Sequence, residues 1–321
     1  MANPLVSDRD VEFLLYEVLD GAALPTLPAF AAHDRATFEL LIDSARRLAR
    51  EVLYPAYRAM DAEPPRFEGG RIITHPLMKT IYPQLVEFGL IGATRPVAVG
   101  GQQLPRLVCT LGAIYLMAGN LSACGYVGLT SAAAHLLESF GSEELQREFM
   151  ARMYSGQWTG TMALTEPQAG SSLADVKTRA TPTAAGHYLI RGSKIFISAG
   201  DHDLTENVVH LTLARIEGAP PGSAGISLFA VTTDTPGFSR GRNLHKIGQH
   251  AQDTEGVFVG PLGIIDHEYG LLFHYSIIME MISLLDLFLM KRGSILQTFS
   301  LILNIQINPS CHIHTLKTLK F

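Results

Sequence analysis

Three cysteines in 321 residues, Cys109, Cys124 and Cys311, stand too far apart for a CxxC pair. That excludes a zinc ribbon or a redox dithiol and predicts buried, unpaired thiols in a reducing compartment. Charge is also scarce, at 17% of residues, and no basic run accumulates. With a net charge of −5, the chain lacks the positive patch that nucleic-acid phosphates require, so no nucleic-acid partner is expected. Asp8, Asp10 and Glu12 stand where a secretory or transit peptide would carry basic residues, which makes a cytoplasmic protein the expectation.

Nucleotide and metal signatures are missing as well. No GxGxxG follows a strand pattern, and Gly192-Ser-Lys194 only imitates the end of a phosphate-binding loop, because His187 occupies the place of its first glycine. His202 between Asp201 and Asp203, and His312 with His314, lack a third and fourth ligand at metal spacing. They read as a polar turn and a solvated tail, and no metal is expected. Residues 271–307 are very apolar, yet Glu280, Asp286, Lys291 and Arg292 interrupt them before ~18 uncharged residues accumulate, so a buried helix is expected rather than a membrane span.

What the chain has is apolar material, 47% of its residues, enough for a large core divided into two or three domains. A short helix opens on a capping Asp8 and closes at Gly21. Phe38, Leu41, Ile42, Ala45, Leu48 and Val52 recur at helical spacing with Arg46, Arg47 and Arg50 opposite, an amphipathic helix. A Pro/Gly-rich link at residues 64–70 precedes another such repeat, Met78, Ile81, Tyr82 and Leu85. Residues 104–118 and 121–140 are apolar all round and read as two central helices, and Ser142 caps one more that Gly156 closes. The first ~155 residues are thus expected to be all-helical. Beyond Trp158, β-branched and aromatic runs at residues 188–191, 195–198, 208–216, 226–232 and 257–260 alternate with turn signals, which predicts an antiparallel, barrel-like β domain. The fold class is therefore α+β.

At the junction lies Met162-Ala-Leu-Thr-Glu-Pro-Gln-Ala-Gly-Ser-Ser172. The proline beside Glu166 stiffens the backbone, Gly170 permits close approach to a ligand, and the hydroxyls of Thr165, Ser171 and Ser172 can hydrogen-bond a polar one. By itself this stretch is equally a simple ordered loop leading into the β domain.

A second motif follows at strand spacing, Tyr188-Leu-Ile-Arg-Gly-Ser-Lys-Ile-Phe-Ile-Ser198-Ala-Gly200. In residue types, order and spacing the two together resemble the acyl-CoA dehydrogenases. Phe140-Gly-Ser-Glu-Glu-Leu-Gln146, Ser155-Gly-Gln-Trp158 and Leu244-His-Lys-Ile-Gly-Gln-His-Ala-Gln-Asp-Thr254 are similar to family segments, so the resemblance runs from about residue 36 to about residue 260. The N-terminal extension and residues 201–207 resemble the long subgroup that includes the methylmercaptopropionyl-CoA dehydrogenases. The resemblance implies an extension (1–35), a helical domain (36–157), a β domain (158–263) and a C-terminal helical segment (264–321), with FAD where the domains meet. It implies that the backbone at Met162 and Leu164 and the Thr165 hydroxyl face the flavin. Gly170 and Ser171 would lie near its pyrophosphate, Ser171 also beside the acyl-CoA. Phe196 takes the place of an aromatic, usually Trp, on the isoalloxazine, and Ser198 that of a Thr whose hydroxyl reaches the ring; a stacking face and a hydroxyl donor are both retained. Acyl-CoA, an electron-transferring flavoprotein and further copies of the chain would be its partners.

Family members draw the base Glu from the C-terminal helical domain. Here the resemblance fades near Gly260 and puts the base near Leu284, which takes no proton; Glu280 is the nearest carboxylate. The residues after Gly260 are too few for a four-helix domain, and the expectation is a truncated member with an incomplete, non-native tail. The rival reading is a flavin- or CoA-binding remnant or interaction subunit without turnover. A relative that applies the same cradle to DNA repair is disfavoured by the low basic content.

Overall fold

The computed structural model describes residues 5–259 apart from 185, 245 and 247; Glu280, Leu284, Cys311, His312 and His314, like all of residues 260–321, lie outside the described residues. Helix α1 (Asp8–Glu12) continues through a π-helical turn to Val18. Its cap is Ser7, whose hydroxyl accepts from Asp10 N at 3.3 Å, not Asp8. The Asp8 carboxylate instead reaches Arg50 at 2.5 Å and Tyr115 Oη at 2.8 Å, tying the first helix to the bundle. Helix α2 (Arg35–Leu48), capped by Asp34, runs through π-helical Ala49–Leu53 into α3 (Tyr54–Ala62). The amphipathic repeat read from the sequence is therefore one continuous helical rod.

The expected link at residues 64–70 is a two-stranded antiparallel ribbon, β1 (Arg66–Glu68) and β2 (Arg71–Ile73). The first region is therefore not all-helical: Gly69 and Gly70 take positive φ values of 59° and 84°, which turn three-residue strands back on each other. After α4 (Met78–Glu87) comes α5 (Arg106–Phe140), in which the two expected central helices follow one another across a kink. They meet at Asn120, whose φ of −162° and ψ of 91° are non-helical, and Asn120 Oδ1 accepts from Ala123 N at 3.1 Å. The side chain thus caps the second half inside the rod. Cys109 and Cys124 are buried free thiols, as expected, and burial pushes both up to about 12, which makes them inert. Short helices α6 (Glu143–Leu145) and α7 (Ala151–Tyr154) flank a π-helical turn, with Ser142 as the expected cap at 3.3 Å.

Seven strands then form one curled sheet: β3 (Thr159–Ala163), β4 (Arg179–Pro182), β5 (Tyr188–Ser198), β6 (Val208–Ile216), β7 (Ile226–Thr232), β8 (Phe238–Asn243) and β9 (Thr254–Val259). Most pairings are antiparallel, but β6 is flanked in parallel by β3 and β4, so the sheet is mixed. Strands β6 and β7 coincide with the runs read from the sequence, whereas the two runs at 188–191 and 195–198 are one strand. Strand β3 presses on the end of α5 and on α7. A Cβ at Gly160 would fall 2.7 Å from Ala133 Cβ and 2.4 Å from Met153 Cε, so only glycine fits this approach. One apolar core fills the helical region around Phe38, Met60 and Tyr115. A second joins Ala134 and Phe149 to Val209, and a third lies within the sheet around Ile190 and Phe229.

Candidate functional site

Pro167 cannot continue a ladder, and after β3 the chain folds into a tight turn in which Glu166 N donates to Ala169 O at 2.7 Å and Ala169 N to Glu166 O at 3.1 Å. The turn directs the Glu166 side chain inward, to 3% exposure, where Lys194, itself at 0%, meets it at 2.7 Å. Thr178 Oγ1 at 2.6 Å, Thr178 N at 3.1 Å, Lys177 N at 2.8 Å and Gln168 Nε2 at 2.5 Å complete the donors. Burial alone would raise the carboxyl, but the Lys194 ammonium and the Thr178 and Lys177 donors outweigh it and hold it down at about 2. Burial draws Lys194 downward and the Glu166 carboxylate opposes that shift; the pair is ionised at neutral pH.

Lys194 also donates to Leu164 O at 3.1 Å, and Ile195 N to Thr165 O at 2.9 Å. Thr161 Oγ1 donates to Ser198 O at 2.7 Å. These three bonds lay residues 161–166 beside residues 194–198. The structure therefore brings Met162, Leu164, Thr165, Phe196 and Ser198 together. The Leu164 carbonyl is taken by Lys194, so this atom faces into the protein. Gly170 lies next to Thr165: a Cβ there would meet only Thr165 Cγ2, at 3.9 Å. Nothing in the chain itself demands glycine at this position. Ser171 and Ser172 are exposed, and Ser172 Oγ donates to Asp175 Oδ2 at 2.6 Å.

Phe196 has the least ordinary geometry. Between Lys194 and Ile197 the β5–β9 register shifts, so one extra residue bulges out of β5. Phe196 is held there at φ 58° and its ring is 53% exposed. A left-handed aromatic costs on the order of 1–2 kcal/mol, and exposing its ring forgoes burial. The fold sustains both costs to present one flat apolar face.

Beside it, Ser198 Oγ accepts from Lys246 Nζ at 3.0 Å, and Ala199 N donates to Asp253 O at 3.1 Å. Neither Lys246 nor Asp253 was singled out from the sequence, and Lys194 was set aside as an imitation loop lysine. The one available signal was periodicity, which puts Lys194 on the same face of β5 as the buried Ile190. Asp253 is fully buried; burial pushes its carboxyl up to about 7, against hydrogen bonds from Tyr126 and Asp201 N. A folded pKa above the unfolded one gives stability that is complete below the ordinary carboxylate range and is lost as pH rises through about 7. Asp253→Asn should accordingly gain on the wild type by about 2 kcal/mol between pH 5 and pH 8, read as denaturant midpoints across that range. Parallel profiles for the two proteins would show that Asp253 does not titrate there.

The turn Asp201-His202-Asp203 is polar, as expected, and it is also a lock. Asp201 Oδ2 accepts from Ile72 N at 2.8 Å, Asp203 Oδ1 from Thr74 N at 2.9 Å, and the His202 carbonyl from Arg71 at 2.8 Å, so the turn clasps the β1–β2 ribbon. The His202 ring is buried and pushed down to about 3 by that burial. Its Nδ1 accepts from Leu204 N at 3.3 Å and its Nε2 pairs with Thr159 Oγ1 at 2.9 Å, leaving no free nitrogen for a metal. Among the described residues no cluster of three His, Cys, Asp or Glu could hold a metal ion. A cavity of about 270 Å³ lined by Gly70, Arg71, Asp201, Asn207 and Arg240 contains none of the motif residues.

Comparison with known proteins follows the same residues. The family profile for the acyl-CoA dehydrogenase N-terminal domain matches residues 36–157, and that for the acyl-CoA dehydrogenase middle domain matches residues 161–259. The chain is 34% identical over 70% of its length to a 3-methylmercaptopropionyl-CoA dehydrogenase from Ruegeria pomeroyi. It is 35% identical over 71% of its length to a butyryl-CoA dehydrogenase from Syntrophomonas wolfei. In each case the match spans 38% of the relative. Among solved structures, an acyl-CoA dehydrogenase from Geobacillus kaustophilus superposes with a TM-score of 0.63 at 27% identity, over 77% of this chain and 61% of that one.

Proposed function

Because the chain belongs to the acyl-CoA dehydrogenase family, we propose that residues 161–198 and the segment at Lys246 carry the flavin-facing half of an FAD-dependent acyl-CoA dehydrogenase. The observation that carries this reading is Phe196, an exposed ring held in a left-handed bulge beside the Ser198 hydroxyl. The residues present fit such a group. The Phe196 face is open, the Thr165 hydroxyl has no protein partner among the described residues, and a Cβ at Gly170 would have its nearest contact at 3.9 Å, so the chain leaves that space free. FAD, when bound, supplies the acceptor for the hydride that leaves the β carbon of the acyl thioester. Phe196 would offer its face to the ring and shield it from water, Thr165 and Ser198 would offer hydroxyl hydrogen bonds, and the Glu166–Lys194 pair fixes the two segments that present them.

The α proton needs a carboxylate; near this face Glu166 is held by Lys194 and Asp175 by Ser172, and Asp253 is fully buried. By the family resemblance the base would come from the C-terminal helical region, where the expected Glu280 lies, and the electrons would pass on to an electron-transferring flavoprotein. The same engagement favours a second reading, a flavin- or CoA-binding chain without turnover. The visible spectrum separates them. A yellow protein that bleaches anaerobically with butyryl-CoA or 3-methylmercaptopropionyl-CoA is a dehydrogenase, a yellow protein that does not bleach is a binder, and a colourless protein that takes up no added FAD refutes both.

A further inference from the structure

Lys246 is a half-buried cation with no carboxylate at ion-pair distance among the described residues. Its Nζ has three neutral oxygens around it: Ser198 Oγ at 3.0 Å, Gln252 Oε1 at 3.3 Å and Gln249 Oε1 at 3.4 Å. The far end of Gln252 is buried, and its Nε2 has no partner among the described residues. This amide is packed directly on α5, where a Cβ at Gly125 would fall 2.0 Å from Nε2. The fold has thus set an ammonium and a spare amide donor near the motif, and the carboxyl that attracts Lys246, the buried Asp253, lies beyond ion-pair distance and is itself pushed up to about 7 by burial. A half-buried charge that only a distant, partly protonated carboxyl offsets is costly, and negative charge arriving beside Ser198 would complete its compensation.

The geometry also decides what Ser198 does. A hydroxyl has one proton and two acceptor sites, and an ammonium has donors only. Ser198 Oγ must therefore accept from Lys246. Its own proton has no acceptor among the described residues, so it is left for a ligand, and a charge-assisted bond on the oxygen makes that O–H a stronger donor.

We infer that Lys246 is a positioning residue for the flavin: it orients the Ser198 hydroxyl as a donor toward the ring and places behind it a positive charge that favours the reduced, more negative form. The inference rests on the flavin reading given above. Its rival is a purely structural Lys246 that tethers residues 246–252 over α5.

Potentiometry with reference dyes distinguishes the two. The proteins compared are the FAD-loaded wild type, Lys246→Met, Lys246→Gln, Lys246→Arg, Ser198→Ala and the Ser198→Ala/Lys246→Met double variant, with the visible spectrum recorded for each. Removing the charge should move the flavin midpoint potential downward in both Lys246→Met and Lys246→Gln, so that either variant suffices if the other folds poorly. Lys246→Arg should restore most of the potential, and the Lys246→Met shift should shrink in the Ser198→Ala background. Unchanged potentials in Lys246 variants that retain FAD would overturn the inference, and so would an equal shift with Ser198 absent. A wild type that takes up no FAD would instead sink the flavin reading beneath it.

Discussion

Lys194→Met is expected to destabilise the protein by about 3–5 kcal/mol, because it strands the Glu166 carboxylate, 3% exposed, without its counter-charge. That loss corresponds to a fall in Tm on the order of 10 °C. The remaining donors, Thr178 Oγ1 and the amides of residues 177 and 178, soften the penalty without cancelling it. Acid titration supplies a signature that cavity formation does not. In the wild type the carboxyl is held at about 2, below its unfolded value, so its stabilisation is present above the ordinary carboxylate range. It is lost as pH falls from about 4.5 toward 2. In Lys194→Met, burial is opposed only by the remaining Thr178 and Lys177 donors, the carboxyl takes up a proton at higher pH and the stranded charge is neutralised. The gap between the two proteins should therefore narrow between pH 7 and pH 4.5. Adding Glu166→Gln to Lys194→Met should cost much less than the sum of the single changes. Additive costs, or a gap that widens in acid, would remove the ion pair from its organising role.

Phe196→Gly should move stability and flavin affinity in opposite directions. Glycine takes φ 58° without the Cβ penalty, and a ring that is 53% exposed gives up little burial when removed. A gain of about 1 kcal/mol in stability is expected. The flat face on which a flavin would pack disappears, and with it about 1 kcal/mol of aromatic contact, so the dissociation constant for FAD should rise roughly fivefold. Isothermal titration with FAD and a denaturant melt on the same preparations test both signs together. Phe196→Trp, which keeps an aromatic face at the same backbone strain, should retain binding. If Phe196→Gly were destabilising and bound FAD normally, the bulge would be a packing feature rather than a ligand platform.

The parts of the fold that were legible in the sequence are those in which a period repeats over several turns or strand residues. Val208–Ile216 and Ile226–Thr232 are dense in β-branched residues and occur as strands at those limits. The β1–β2 ribbon was not legible, because three-residue strands around two glycines carry no period and look like a linker. The break at Asn120 is one residue within 35 of helix and leaves the apolar pattern intact on both sides. At the site, motif order put Thr165, Phe196 and Ser198 in one place, and the structure brings them side by side. Lys194 and Lys246 were not legible. Each hydrogen-bonds a distant partner, Glu166 at a separation of 28 residues and Ser198 at 48, and a lysine in a sequence reads as solvated until the tertiary fold shows what surrounds it. The left-handed turn at Phe196 is likewise a product of register with β9 and not of local propensity.

Asn120 has a mechanical consequence. Because its side chain restarts the hydrogen-bond ladder, α5 is two levers joined at one residue. The first, Arg106 to Gly119, is clamped in the helical core, with Gly119 seated against Ala49 and Leu53. The second starts in that core at Ala123 and ends in the other at Ala133, Ala134 and Leu137, against Val209 and Leu211 of β6 and Ala230 of β7. A tilt of the sheet is carried rigidly along the second lever to residue 120 and can be absorbed there by a change in ψ, with no backbone bond of the first lever broken. Amide exchange should divide at the same residue, the two halves of one apparent helix opening with different free energies.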